Sequence, residues 1–201
     1  MSARNRILDV AIDRIRRDGY AATSVDDLCK ASGVTKGAFF HHFKGKDDLG
    51  VAAANRWQEA TGRLFAEAAY HRPADPLARI LAYLDFRKEL VRGGIPEFTC
   101  LVGTLVQEIH ATHPRIRAAC AASIEGHAGT LVADIEAARK LYRPVPGWTA
   151  ESLALHTQVV LQGAFVVAKA KDDRQVVFDA IDHLKRYVRS LFRPKKKATR
   201  P

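Results

Sequence analysis

At 201 residues, 47% of them hydrophobic and with a formal net charge of +10, the chain is long enough to bury a sizeable core, as one large domain or as a small domain joined to a larger one. Eight basic residues and no acid lie in 185–201, which leaves about +2 for residues 1–184, so basicity alone does not argue for a nucleic-acid partner. The cysteines (Cys29, Cys100 and Cys120) are odd in number and far apart, which argues against a disulfide framework or a zinc site and points to reduced thiols in the cytosol.

Arg4, Arg6, Asp9 and Asp13 near the N-terminus predict that no signal peptide begins the chain, and no apolar run of membrane-spanning length is expected. There is no run of strict apolar–polar alternation and no Asn-Gly or Asp-Gly hairpin turn, so the fold class predicted is all-α, with about nine helices. A first helix spans about 4–17, with Ile7, Leu8, Ala11, Ile12 and Ile15 on one stripe, and stops at Asp18-Gly19. Two short helices follow, then a long one from Lys46 to about Tyr70 with Asp47 and Asp48 in its first turn. Later helices are predicted over about 77–91, 96–113, 114–142, 149–171 and 174–192, with Arg143–Gly147 as a loop.

The two short helices carry the most information. Thr23-Ser24 open the first, Val25, Leu28 and Cys29 give it an apolar stripe, and Ser32-Gly33 end it. Thr35 caps the second, in which Phe39 and Phe43 share one face and read as core, while Lys36, His41, Lys44 and Lys46 are left to meet a polyanion. Two short helices joined by a tight turn at Gly33 make a helix-turn-helix, whose second member enters the DNA major groove.

Residues 4–50 resemble the tetracycline-repressor (TetR) family of bacterial transcription regulators. The resemblance rests on Gly19-Tyr20, Thr23-Ser24-Val25, Gly33-Val34-Thr35-Lys36-Gly37, and Phe40-His41-His42-Phe43-Lys44-Gly45-Lys46-Asp47-Asp48-Leu49. It implies DNA contacts from Thr23, Ser24, Thr35, Lys36, Gly37, Ala38, Phe40, His41 and Lys46. Phe40 stands where the family usually has a phosphate-binding Tyr, so it offers apolar contact, for instance to a thymine methyl, but no hydrogen bond. His42 reads as a packing histidine.

The same resemblance implies a homodimer on a palindromic double-stranded DNA operator, a small-molecule effector that changes the spacing of the two reading heads, and repression of a nearby gene in the bacterial cytoplasm, on the nucleoid when DNA-bound. The last two helices suit dimerisation through Val160, Gly163, Val167, Leu184, Val188 and Leu191. Effector-lining residues expected in the larger part are Tyr83, Phe86, Phe98, Cys100, Thr104, Gln107, His127, Trp148, His156 and Phe165. The segment Phe98–Leu105 is similar to a Gly-Cys-Leu-x-Gly-Asn-Leu segment of the branch that includes N-ethylmaleimide-reductase repressors, some of which sense electrophiles through this cysteine. Thr99 and Thr104 replace the Gly and Asn.

The domains expected are a helix-turn-helix domain over 1–50, a ligand-binding and dimerisation domain over 51–192 and a basic, disordered tail over 193–201. No cofactor, metal or membrane partner is expected, and His110 with His113 is too few ligands for a metal. One rival reading is a sequence-indifferent DNA-coating protein driven by the basic tail. Another is an all-helical enzyme, for which no catalytic constellation stands out.

Overall fold

A computed structural model describes residues 2–193. In chain order the helices are α1 (Ala3–Asp18), α2 (Val25–Ser32), α3 (Lys36–His42), α4 (Lys46–Ala66), α5 (Pro76–Glu89), α6 (Ile95–Phe98), α7 (Leu101–Ile109), α8 (Pro114–Gly129), α9 (Val132–Leu141), α10 (Ala150–Lys171) and α11 (Gln175–Leu191). The all-α class holds, with two of the expected helices divided. The 96–113 stretch breaks at Thr99-Cys100, where the chain is extended. The 114–142 stretch breaks at Thr130-Leu131. The long helix from Lys46 ends at Ala66 rather than Tyr70, which falls in a single 3-10 turn, Ala69–His71. Within the expected loop, Arg143 and Pro144 pair antiparallel with Arg193 and Phe192.

The chain forms two compact units. The first joins residues 1–67 to 93–125, and the second joins 68–92 to the chain from 126 onward. This differs from the expected division at residue 50, and burial supplies the reason. Leu101, Leu105, Ile109 and Ile116 enter the same core as Ile7, Leu8, Ile15, Leu28, Phe39 and Leu49, so 93–125 packs with the N-terminal helices. Gly50 lets α8 approach α4 closely, since a Cβ there would lie 2.6 Å from Ile116 Cδ1.

In the second unit α5, α9, α10 and α11 pack around Ile80, Leu84, Ile135, Leu161, Ile181 and Val188. Contrary to the expectation of no membrane-length run, α10 is long and apolar enough to cross a membrane by length and composition. Its inner side, Leu153, Ala154, Thr157, Leu161 and Ala168, is buried, as in a core helix. Apart from Arg193, the expected basic tail lies outside the described residues.

Candidate nucleic-acid interface

Local capping builds the reading head. The Ser24 hydroxyl accepts from the Asp27 N–H at 3.1 Å to start α2, and Gly33, left-handed at φ 64°, ends it. Thr35 Oγ1 accepts from the Ala38 N–H at 3.1 Å to start α3. Phe39 and Phe43 are buried and anchor α3 to the core. Phe40 points the other way, 57% exposed, its ring edge-on to Phe39 at 5.2 Å. Thr35, Gly37 and His41 are exposed on the same short helix or its cap, and Ala38 is half-buried. His42 is half-buried beside Phe43 and lines a half-open groove of about 310 Å³ with Arg4, Asp48, Arg56 and Glu59.

Besides the capping hydroxyls of Ser24 and Thr35, three more of the expected DNA-contacting side chains are engaged within the chain. Thr23 is buried and donates to the Gly19 carbonyl at 2.7 Å, so its hydroxyl closes the α1–α2 turn rather than facing solvent. Lys36 Nζ lies 2.7 Å from Asp26 Oδ1, and that carboxylate holds the ammonium above its ordinary pKa. Lys46 is half-buried, its Nζ 4.3 Å from the Tyr20 ring centre and 3.4 Å from the Ala21 carbonyl. Burial lowers its pKa. Sequence reasoning missed Asp26 because only the fold of the turn brings α2 against the start of α3.

A second missed residue, Glu108 on α7, clasps the head. Its carboxylate accepts the backbone N–H groups of Tyr20 and Ala21 at 2.6 and 2.7 Å. Arg16 Nε donates to the Thr99 carbonyl at 2.9 Å and lies over the Trp57 ring. The Tyr20 hydroxyl donates to Asp47 at 2.9 Å, and His113 packs edge-on against the Tyr20 ring. Burial and the Asp47 bond push the Tyr20 phenol well above its usual pKa.

The residues expected to line one effector site are divided between the two units. Phe98, Cys100, Thr104 and Gln107 lie in the first, where the Thr104 hydroxyl donates to the Cys100 carbonyl and the Gln107 amide to the Gly103 carbonyl. In the second, Tyr83 and His127 form a polar core cluster with Gln158, which sequence reasoning missed. Gln158 Nε2 donates to Tyr83 Oη at 3.1 Å, and that hydroxyl lies 3.0 Å from His127 Nε2. Burial, then the Arg87 charge, pushes the His127 pKa down to about 3. Arg87 Nη1, which can only donate, lies 3.5 Å from the same Nε2 and so favours the tautomer that accepts there. Tyr70 joins through its ring, 5.5 Å from Tyr83 and 5.9 Å from Phe86, and the Arg87 guanidinium lies over Phe165. Trp148 instead lies under the Arg139 guanidinium and edge-on to Phe192, and His156 meets Tyr187 edge-on at 5.4 Å. The signal for Gln158 is its spacing: it is a polar residue one helical turn from Ala154 and from Leu161, on the buried side of an apolar helix.

Of the expected dimer residues, Leu184, Val188 and Leu191 are buried inside the second unit, and only Gly163, Val167 and the half-buried Val160 reach the surface. The outward apolar residues are Leu155, Val159, Val166 and Val167 on α10 and Tyr187 on α11, with Val159 60% exposed. Nothing lies within 4 Å of where a Cβ would sit on Gly163, midway along this stripe. Periodicity by itself does not distinguish the two apolar sides of α10, one facing inward and one outward.

Residues 7–53 match the family described as Bacterial regulatory proteins, tetR family, and residues 76–184 match the Tetracyclin repressor-like, C-terminal domain. The transcriptional regulator AcuR of Cereibacter sphaeroides is 32% identical over 124 residues, covering 61% of this chain and 56% of AcuR. The HTH-type transcriptional regulator AcrR of Shigella flexneri is 39% identical over 75 residues, 37% of this chain and 35% of AcrR. The chain thus spans about half of the first of these curated relatives and a third of the second. Among solved structures, a TetR transcriptional regulator from Chloroflexus aurantiacus superposes with a TM-score of 0.82 at 26% identity, covering 96% of this chain and 97% of that one. Reduced Escherichia coli NemR shares the fold, with a TM-score of 0.80 at 21% identity and coverage of 98% and 100%.

Proposed function

The chain belongs to the tetR family of bacterial regulatory proteins, and on that premise we propose that it is a ligand-responsive transcriptional regulator, a repressor, that binds a palindromic operator as a homodimer. The observation that carries this reading is α3: a capped, seven-residue helix anchored by Phe39 and Phe43 that turns Phe40 and His41 outward. A helix so short reads few base pairs, so two copies related by a twofold axis supply affinity and specificity. The outward stripe of α10, with Tyr187 of α11, is the surface we assign to that pairing, because contiguous exposed valines and leucine are costly to leave in water. The protein works in the bacterial cytoplasm, on the nucleoid when bound to DNA.

The effector we assign is a small organic molecule. The Tyr83–His127–Gln158 cluster in the second unit offers a neutral imidazole, a phenol and an amide among aromatic rings, the mixture that recognises such a ligand. Electrophiles are included, because Cys100 is half-exposed whereas Cys29 and Cys120 are buried, with burial pushing the Cys120 thiol up to about 12. If Cys100→Ser leaves release by an electrophile unchanged, the thiol is not the sensor.

Selection from a random duplex library with the purified protein tests the main reading. Enrichment of an inverted repeat is expected, and no enriched site at moderate salt would overturn it. The tail-driven coating alternative predicts that removing residues 193–201 abolishes binding, whereas the operator reading predicts a shallower salt dependence only.

A further inference from the structure

We propose that Asp26 is an electrostatic brake on the reading head, neutralising Lys36 and so limiting how strongly the head grips phosphate regardless of sequence. The inference rests on the DNA-binding reading and goes beyond it by naming a residue of α2 that restrains a cation of α3. Asp26 is the second residue of α2 and Lys36 the first of α3. Their carboxylate and ammonium lie 2.7 Å apart, with both side chains more than 60% exposed.

Lys36 and Phe40 are four residues apart and therefore share a face of α3, so the ion pair sits on the side that Phe40 turns toward solvent. A cation alone on that face would release about one counterion's worth of salt dependence on meeting DNA. The pair presents no net charge. If Lys36 leaves Asp26 for a phosphate, a carboxylate remains beside the duplex, and its repulsion by the phosphates offsets part of what the new contact gains. Asp27, whose carboxylate accepts the Ser24 hydroxyl in the same first turn, keeps the start of α2 acidic and adds to the restraint.

The test is a salt titration of binding to a mixed-sequence duplex with the full chain, its Asp26→Asn and Lys36→Gln variants, and the double variant. Asp26→Asn is near-isosteric at an exposed position, and an unchanged melting temperature confirms that it folds. Its log K against log salt is expected to steepen by about 0.9, so its advantage over the parent grows about three- to fourfold on going from 200 to 50 mM salt. The double variant is expected to return to the parental slope, because the pair is again neutral. A slope unchanged in Asp26→Asn, or weaker binding by it, would overturn the brake while leaving the DNA-binding reading intact. No duplex binding by any form at 50 mM salt would overturn both.

Discussion

Glu108 holds the turn after α1 through the backbone of Tyr20, whose N–H donates to Glu108 Oε2 at 2.6 Å. The other carboxylate oxygen takes the next N–H, that of Ala21, at 2.7 Å, so one side chain satisfies two consecutive donors of the turn leading into α2. Gly19, at φ 91°, brings the backbone close enough: a Cβ there would lie 3.1 Å from Glu108 Oε2. Glu108→Gln keeps one acceptor and sets an amide against the other N–H. The expected cost is about 1–2 kcal/mol, the lower part of the range for charge-assisted bonds because Glu108 is solvent-exposed. Urea denaturation gives the magnitude, and amide exchange should show protection lost first at Tyr20 and Ala21. Unchanged protection there would rule the clasp out.

Gly50 and Ile116 set the packing of α4 against α8. Adding a methyl at residue 50 puts it 2.6 Å from Ile116 Cδ1 and 3.3 Å from the Tyr20 ring. Overpacking costs about 1–3 kcal/mol, against which alanine's helix propensity returns about 1 kcal/mol. Gly50→Ala is therefore expected to be net destabilising. Ile116→Val removes the clashing carbon, so the pair of substitutions together should be more stable than the two single effects added, as a double-mutant cycle would show.

His127 makes stability depend on pH. Its pKa is about 3 in the fold against an ordinary 6.5, so below pH 6.5 the unfolded chain takes up a proton that the folded chain refuses. The stabilisation is fully present above pH 6.5 and is lost as pH falls toward 3, at up to about 1.4 kcal/mol per pH unit. His127→Gln retains an acceptor for the Tyr83 hydroxyl without the basic group. Its stability, measured by denaturant unfolding between pH 7 and 4.5, should fall less steeply than the parent's. Parallel curves would show that His127 protonates as readily folded as unfolded.

The two sides of α10 and α11 separate association from folding. Val159→Glu lies on the outward stripe and should convert a dimer to monomers in sedimentation velocity while leaving thermal stability of the monomer within about 0.5 kcal/mol. Val188→Ala empties a fully buried position and is expected to cost about 2–3 kcal/mol of stability at any protein concentration. A Val159→Glu protein that remains dimeric would place the interface elsewhere.

Much of the reading head was legible because its determinants are local. Ser24 and Thr35 each cap a helix from three residues away, Gly33 supplies a left-handed turn, and the four-residue spacing of Phe39 and Phe43 marks the buried face. None of these depends on distant parts of the chain, so the helix-turn-helix and the all-α class could be read directly.

What the tertiary structure alone decided is which groups meet. Lys36 and Lys46 looked free because their partners, Asp26 and Tyr20, become neighbours only when α2 packs against α3 and the turn after α1 meets the start of α4. Glu108 reaches Tyr20 across 88 positions of sequence. Leu184 and Val188 face inward and Val159 outward because α10 and α11 each pack on α5 or α9 on one side only. Periodicity reveals that a helix has an apolar stripe. Where two stripes exist, or a charge has several possible mates, long-range packing makes the choice, since the burial and pairing energies that decide it arise only between segments far apart in the chain.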